Sequence, residues 1–195
     1  MFDIVDNFEK QIAEFFGAPY AVSTDCCTHA VELCLRYKNA KSITVPQHTY
    51  LSIPMTGKKL GIDVQWTNAK WSEYYYLGNN IYDAAVLWKP NSYVSGSYMC
   101  LSFQFRKHLS LGRGGVILLD SKEDRDALIK LGYDGRHRNC SWMDQDINSI
   151  GYHYYMTPET AQLGLDKLPN AIATPAKMWT WEDYPNVYHR LKNSV

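Results

Sequence analysis

An α/β sheet is the fold this sequence predicts, and three observations predict it. Short apolar runs alternate with segments whose apolar residues recur at three- and four-residue steps. Cap residues, prolines and glycines fall at the borders between the two kinds of segment. The 195 residues suffice for one substantial core, since single domains typically occupy ~50–250 residues.

From Asp3 to Phe16, the residues Val5, Phe8, Ile12 and Phe15 form a helical stripe, Lys10 and Glu14 pair on the polar face, and Gly17 ends the helix. A short strand through Tyr20, Ala21 and Val22 follows, and Thr24 and Asp25 offer N-caps for a helix that buries Ala30, Leu33 and Cys34. Residues 42–45 read as a buried strand stopped by Pro46, residues 49–60 as a helix with Pro54 in its first turns, and residues 63–66 as a third strand. After a polar, tyrosine-rich connection, residues 80–86, 97–103 and 116–119 read as strands, the last two flanking Gly112, Gly114 and Gly115. Ser121 with Asp124 starts a helix through Leu128 and Leu131, and Thr157 with Pro158 starts one carrying Ala161, Leu165 and Leu168. Beyond Pro169, a segment with Pro175, Trp179, Trp181, Tyr184 and Pro185 lacks a period and is expected to wrap the domain or to contact another subunit.

Composition excludes some classes of function. Twenty basic and twenty acidic residues give zero formal net charge, without the electrostatic footprint of a nucleic-acid binder. The apolar stretches are too short to span a bilayer, and the start (Met1, Phe2, Asp3) lacks the basic-then-apolar order of a signal peptide, so a cytoplasmic protein without a membrane partner is expected. Cys26, Cys27, Cys34, Cys100 and Cys140 are an odd set without a C-x-x-C pair, which argues against a disulfide framework and a cysteine zinc site. Aromatic clusters around residues 71–76 and 152–155 point to packing and interfaces.

Five segments carry candidate chemistry. In residues 101–115, Ser102 and Phe103 precede Lys107 and a glycine turn at Gly112, Gly114 and Gly115. A lysine amine held partly desolvated can lose its proton and attack as a neutral nucleophile, which a lysine on a solvated loop does poorly. Asp83 stands between Ile81-Tyr82 and Ala84-Ala85; Thr28 follows Cys26-Cys27 where a strand meets a helix; Tyr50 ends Pro46-Gln47-His48-Thr49-Tyr50; and His153 sits in the stretch from Gly151 to Thr157. Taken singly, these are also an ordinary loop lysine, a turn-capping aspartate, a first-turn threonine, a core tyrosine and a packed aromatic surface.

Together the segments resemble the DegT/DnrJ family of pyridoxal-phosphate-dependent sugar aminotransferases, from near Phe8 to about Leu168, with a gap at roughly residues 60–80. The resemblance implies a truncated aminotransferase-like large domain, a mainly parallel sheet flanked by helices, over residues 1–168, shortened between about 60 and 80. Residues 169–195 would form an aromatic-rich tail in place of the usual small domain. Lys107 matches the family's Schiff-base lysine, which also moves the proton as general base and acid. Asp83 matches the aspartate that pairs with the pyridine nitrogen, Thr28, Cys27 and Ser102 match the phosphate-binding positions, and Tyr50 matches the aromatic residue against the ring face. Cys27 replaces the family's glycine and Val86 a residue that touches the phenolic oxygen. In the family's G-Y-N-Y-R-M-T, His153 replaces asparagine and Tyr155 arginine. That segment reaches the partner subunit's site in relatives, so the match implies a homodimer with shared active sites, to which the partner's His153 contributes, and amino transfer from an amino-acid donor to a keto sugar nucleotide. The departures keep a second reading open, a non-catalytic cofactor-binding or interaction protein that retains the fold. A third, a metal enzyme using His137, Cys140 and His153, matches no strong ligand pattern, and no metal site is expected.

Overall fold

Successive strand residues point to opposite faces of a sheet, so a strand that is apolar throughout needs cover on both faces. In the computed structural model, which describes residues 2–191, the strands β1 (Tyr20–Thr24), β6 (Tyr98–Ser102) and β7 (Gly115–Leu119) feed two cores in this way. Ala21, Met99, Leu101, Val116 and Leu118 pack with α1 (Asp3–Phe16) and α5 (Pro158–Ala173). Val22, Cys100, Ile117 and Leu119 pack with α2 (Cys27–Tyr37) and α4 (Lys122–Gly132) on the opposite face. A three-layer helix–sheet–helix arrangement results.

The remaining elements are β2 (Ser42–Pro46), α3 (Ser52–Lys59), β3 (Asp63–Thr67), β4 (Tyr75–Gly78), β5 (Ile81–Asp83) and a short α6 (Tyr188–Leu191). The main sheet has the order β1-β7-β6-β5-β4, and β2 pairs with β3. The expectation of a mainly parallel sheet needs correction: β5/β6 and β2/β3 are parallel, whereas β1/β7, β6/β7 and β4/β5 are antiparallel. For β6/β7 and β4/β5 the connection is the reason. Only the loop 103–114 joins β6 to β7, and β4 turns into β5 through Gly78, Asn79 and Asn80, all at positive φ. The β4–β5 turn is too short for a parallel pair, and the β6–β7 loop carries no crossover helix of the kind that parallel neighbours usually need.

Three boundaries differ from the sequence expectation. The 49–60 helix starts at Ser52, and the 80–86 strand stops at Asp83, where the side chain turns back to bond the Ala85 amide. The tyrosine-rich connection contains β4. Helix α5 passes Pro169 and ends at Ala173 rather than stopping at the expected boundary near residue 168. Proline forfeits the bond to residue 165, but Leu168 and Ala171 are buried and hold the last turn on the core. Residues 192–195 of the expected tail lie outside the described ones.

Candidate active site

Lys107 stands on a turn five residues beyond the end of β6 rather than on the strand itself. Its backbone N–H donates to Gln104 O at 2.8 Å, and the loop is closed by Phe103 N–H to Gly114 O and Leu111 N–H to Phe103 O, both at 2.9 Å. Leu109 and Leu111 are buried behind it. The side chain enters a cavity of about 680 Å³ at the strand ends, where burial lowers the pKa of the amine while Cys27 and Asp83 act in the opposite direction.

Asp83 lies in the same cavity and is 5% exposed. Its Oδ1 accepts from Ala85 N–H at 3.0 Å and its Oδ2 from the Tyr75 hydroxyl, which also bonds Thr49 Oγ1. Burial raises the Asp83 carboxyl above the usual range, and the bonds from Tyr75 and Ala85, with the charge of Lys107, work against that rise. Two acceptor bonds leave a carboxylate with lone pairs to spare for a further donor.

Helix α2 points its start at this cavity. Its first residue, Cys27, is absent from the positive-φ residues, so the position needs no glycine. The Cys27 thiol turns inward, 3.4 Å from Cys100 O, and burial pushes its pKa up, so the group is a neutral thiol. Gly115 fixes how closely the turn approaches β7: a Cβ there would lie 2.5 Å from Cys27 N. Thr28 Oγ1 donates to Ser52 Oγ at 3.0 Å, and both line the cavity with Ser102. Unpaired amides at a helix start and nearby hydroxyls suit an anion. Arg113 adds a positive charge beside them, bonded to Asp25 Oδ2 at 2.7 Å.

The far wall was not legible in the sequence. Residues 179–187 run back across the opening, with Glu73 N–H donating to Trp179 O, Trp181 N–H to Trp71 O and Val187 N–H to Gln47 O at 2.8–3.0 Å. Trp71, buried, donates its indole N–H to His48 O at 2.7 Å. Its ring packs 5.1 Å from Tyr75 and 5.4 Å from Tyr184. Trp71, Tyr75, Arg113, Trp179 and Tyr184 were all missed as site residues. The one available signal was the density of aromatic residues around 71–76 and in the tail.

Of the predicted site residues, Lys107, Asp83, Ser102, Thr28, Cys27 and Tyr50 meet at this cavity. Tyr50 stands at the rim, 57% exposed, instead of in the core. His153 lies apart from it within this chain, exposed and bonded to Asp134 Oδ2 at 2.9 Å. The trio His137, Cys140 and His153 does not assemble: among the described residues the grouping with ligand-forming proximity is Asp25, Cys26 and His29, and there Arg113 already supplies a cation to Asp25.

The sequence pattern of the DegT/DnrJ/EryC1/StrS aminotransferase family matches residues 2–74 and 94–178. The chain belongs to this family. Solved structures agree on the fold of this family member. AtS13 from Actinomadura melliaura superposes with a TM-score of 0.76 at 20% identity, over 87% of this chain and 60% of that one. A putative sugar aminotransferase from Streptococcus pneumoniae, Spr1654 in its PLP-form, gives 0.72 at 16% over 87% and 60%, and the sugar aminotransferase CalS13 from Micromonospora echinospora gives 0.69 at 13% over 88% and 61%. The chain thus spans about 60% of the length of these relatives. No curated protein matches the sequence. Asp83 and Tyr75 fall between the two matched stretches and Tyr184 beyond them, yet the fold brings all three to the lysine's cavity. The donor set in this family member fits pyridoxal phosphate: an amine for the aldehyde, a buried carboxylate for the ring nitrogen, and hydroxyls with a helix start for the phosphate.

Proposed function

We propose that this family member binds pyridoxal phosphate and transfers an amino group, with Lys107 as the catalytic amine. The observation that carries the reading is the convergence of Lys107, Asp83 and the α2 start, with Thr28 and Ser102, on one cavity. When bound, the cofactor supplies an electron-withdrawing ring for the carbanion chemistry of amino transfer. The protein's own residues do the rest. Burial makes the Lys107 amine easier to deprotonate, so it serves as nucleophile and then as the base and acid that moves the proton. Asp83 presents a negative charge to the ring nitrogen, and the α2 amides with Thr28 and Ser102 hold the phosphate. Cys27, turned away, contributes only its backbone.

In this reading the donor is an amino acid and the acceptor a keto sugar nucleotide, supported by family membership and by the sugar aminotransferases among the structural neighbours. The working form would be a cytoplasmic homodimer with shared sites, the partner's His153 reaching the cavity. The exposed position of His153 away from its own chain's cavity supports this, as do the exposed Tyr50, Leu51, Met55 and Phe105 in one molecule. All five cysteines are free, in keeping with a reducing compartment. Among the described residues no helix is long and apolar enough to cross a membrane.

The test is the visible absorption of the purified protein with added pyridoxal phosphate, before and after glutamate, for the native chain and Lys107→Ala. A band in the native protein alone that shifts on adding the donor is expected. A band independent of Lys107, or none, would remove the enzyme reading and leave a non-catalytic cofactor-binding or interaction protein that retains the fold.

A further inference from the structure

We propose that Tyr184 is the positioning residue for the Lys107 amine, delivered to it by the C-terminal segment. The inference rests on Lys107 being the reacting amine and adds a group that lies outside both stretches matched by the family. Lys107 Nζ donates to the Tyr184 hydroxyl at 3.3 Å. A lysine carries four rotatable carbons and loses considerable freedom when its end is fixed, so a rigid partner must do the fixing. Tyr184 is rigid for reasons unrelated to the lysine. His48 Nδ1–H donates to its carbonyl at 2.7 Å, its ring packs 5.4 Å from Trp71 and 6.2 Å from Trp179, and the flanking Trp181 and Val187 are bonded to residues 71 and 47.

The chemistry of the pair suits an amine that must change protonation state. Burial, followed by the charge of Asp83, keeps Tyr184 a neutral phenol. A phenol accepts a hydrogen bond from an ammonium and donates one to a neutral amine, so it can hold Nζ in both forms. The other groups facing Nζ are Asp83 on β5, Cys27 on α2 and the Trp179 ring, whose centroid is 5.9 Å away. Of these, Asp83 favours the charged amine through its own charge, and among the described residues Tyr184 is the hydrogen-bond partner of Nζ.

The experiment follows the titration of Lys107 without cofactor, by competitive acetylation across pH with peptide mass spectrometry, in the native chain and Tyr184→Phe. Losing the hydroxyl removes an acceptor from the ammonium, so the half-titration of Lys107 should fall by about one pH unit, with the melting temperature unchanged. An unmoved or raised half-titration overturns the proposal, because a purely structural role would alter melting and not the lysine. Tyr184→Met, which keeps bulk against Trp71 and lacks the hydroxyl, should give the same fall and serves if the phenylalanine variant does not fold. Since this readout needs no pyridoxal phosphate, a native protein that forms no lysine-dependent band would overturn the cofactor reading and leave the Tyr184 result standing on its own.

Discussion

The two sides of the cavity are built by different means. The floor, formed by the ends of β5 and β6, the β6–β7 loop and the start of α2, hangs on regular sheet ladders and on residues buried in both cores, such as Leu101 and Ile117. The roof, residues 71–74 and 179–187, is fastened by isolated bridges such as Ser72↔Thr180 and His48↔Asn186 and by aromatic packing. A ladder shares its cooperativity with the whole domain, whereas scattered bridges near the surface can open locally. The floor should therefore report on global stability, and the roof on the site.

The largest effect should come from the floor. Leu101 is 1% exposed, so Leu101→Ala leaves a hole beside β6 and should cost about 2–5 kcal/mol in chemical denaturation. A smaller loss, felt mainly as a lower midpoint, would mean that β6 is less central than its pairing implies. Next is Gly115→Ala, which puts a Cβ 2.5 Å from Cys27 N and forces the α2 turn away from β7. The expected cost is about 1–3 kcal/mol, accompanied by weaker binding of pyridoxal phosphate in a fluorescence titration. Undiminished binding would show that the turn does not set the phosphate site.

On the roof, Trp71→Phe removes the indole bond to His48 O and should cost only about 1 kcal/mol. Its signature is regional: amides of residues 179–187 should exchange faster with deuterium while those of β6 and β7 keep their protection. Uniform acceleration would erase the distinction between roof and floor. The smallest effect concerns His29 in the first turn of α2. Its Nδ1 lies 2.6 Å from Asp25 Oδ1 and its ring stacks on Tyr154 at 3.6 Å. Burial disfavours its charge, but the bonds from Asp25 and Cys26 outweigh this and raise it from 6.5 to about 9. A raised folded-state pKa gives stability that is complete below about 6.5 and fades as pH rises through about 9. His29→Phe, which keeps the stack, should flatten that part of the stability–pH curve; an unchanged slope would assign the pH dependence elsewhere.

Much of the floor was legible because its signals are local. The α1 stripe and its glycine stop, the Ser121 and Thr157 caps and the apolar β6 and β7 runs announce themselves within a few residues, and each formed within a residue or two of expectation. Lys107, Ser102, Thr28 and Asp83 were found because each sits inside a short segment of recognisable order. β4 was hidden because Leu77 is its one buried residue within a tyrosine-rich stretch, and its pairing depends on β5, reached through a left-handed turn.

What the sequence determined by itself was most of the helices and strands, the α/β class and the segment that singles out Lys107, since periodicity, capping and short motifs are properties of neighbouring residues. Only the tertiary structure decided the strand directions, the inward turn of Cys27, and the partners of the two key groups: Tyr75 on Asp83 and Tyr184 on Lys107. The latter lies 77 residues from the lysine along the chain. Contacts at that separation depend on how the layers pack and where the returning chain is fastened, which no local pattern encodes.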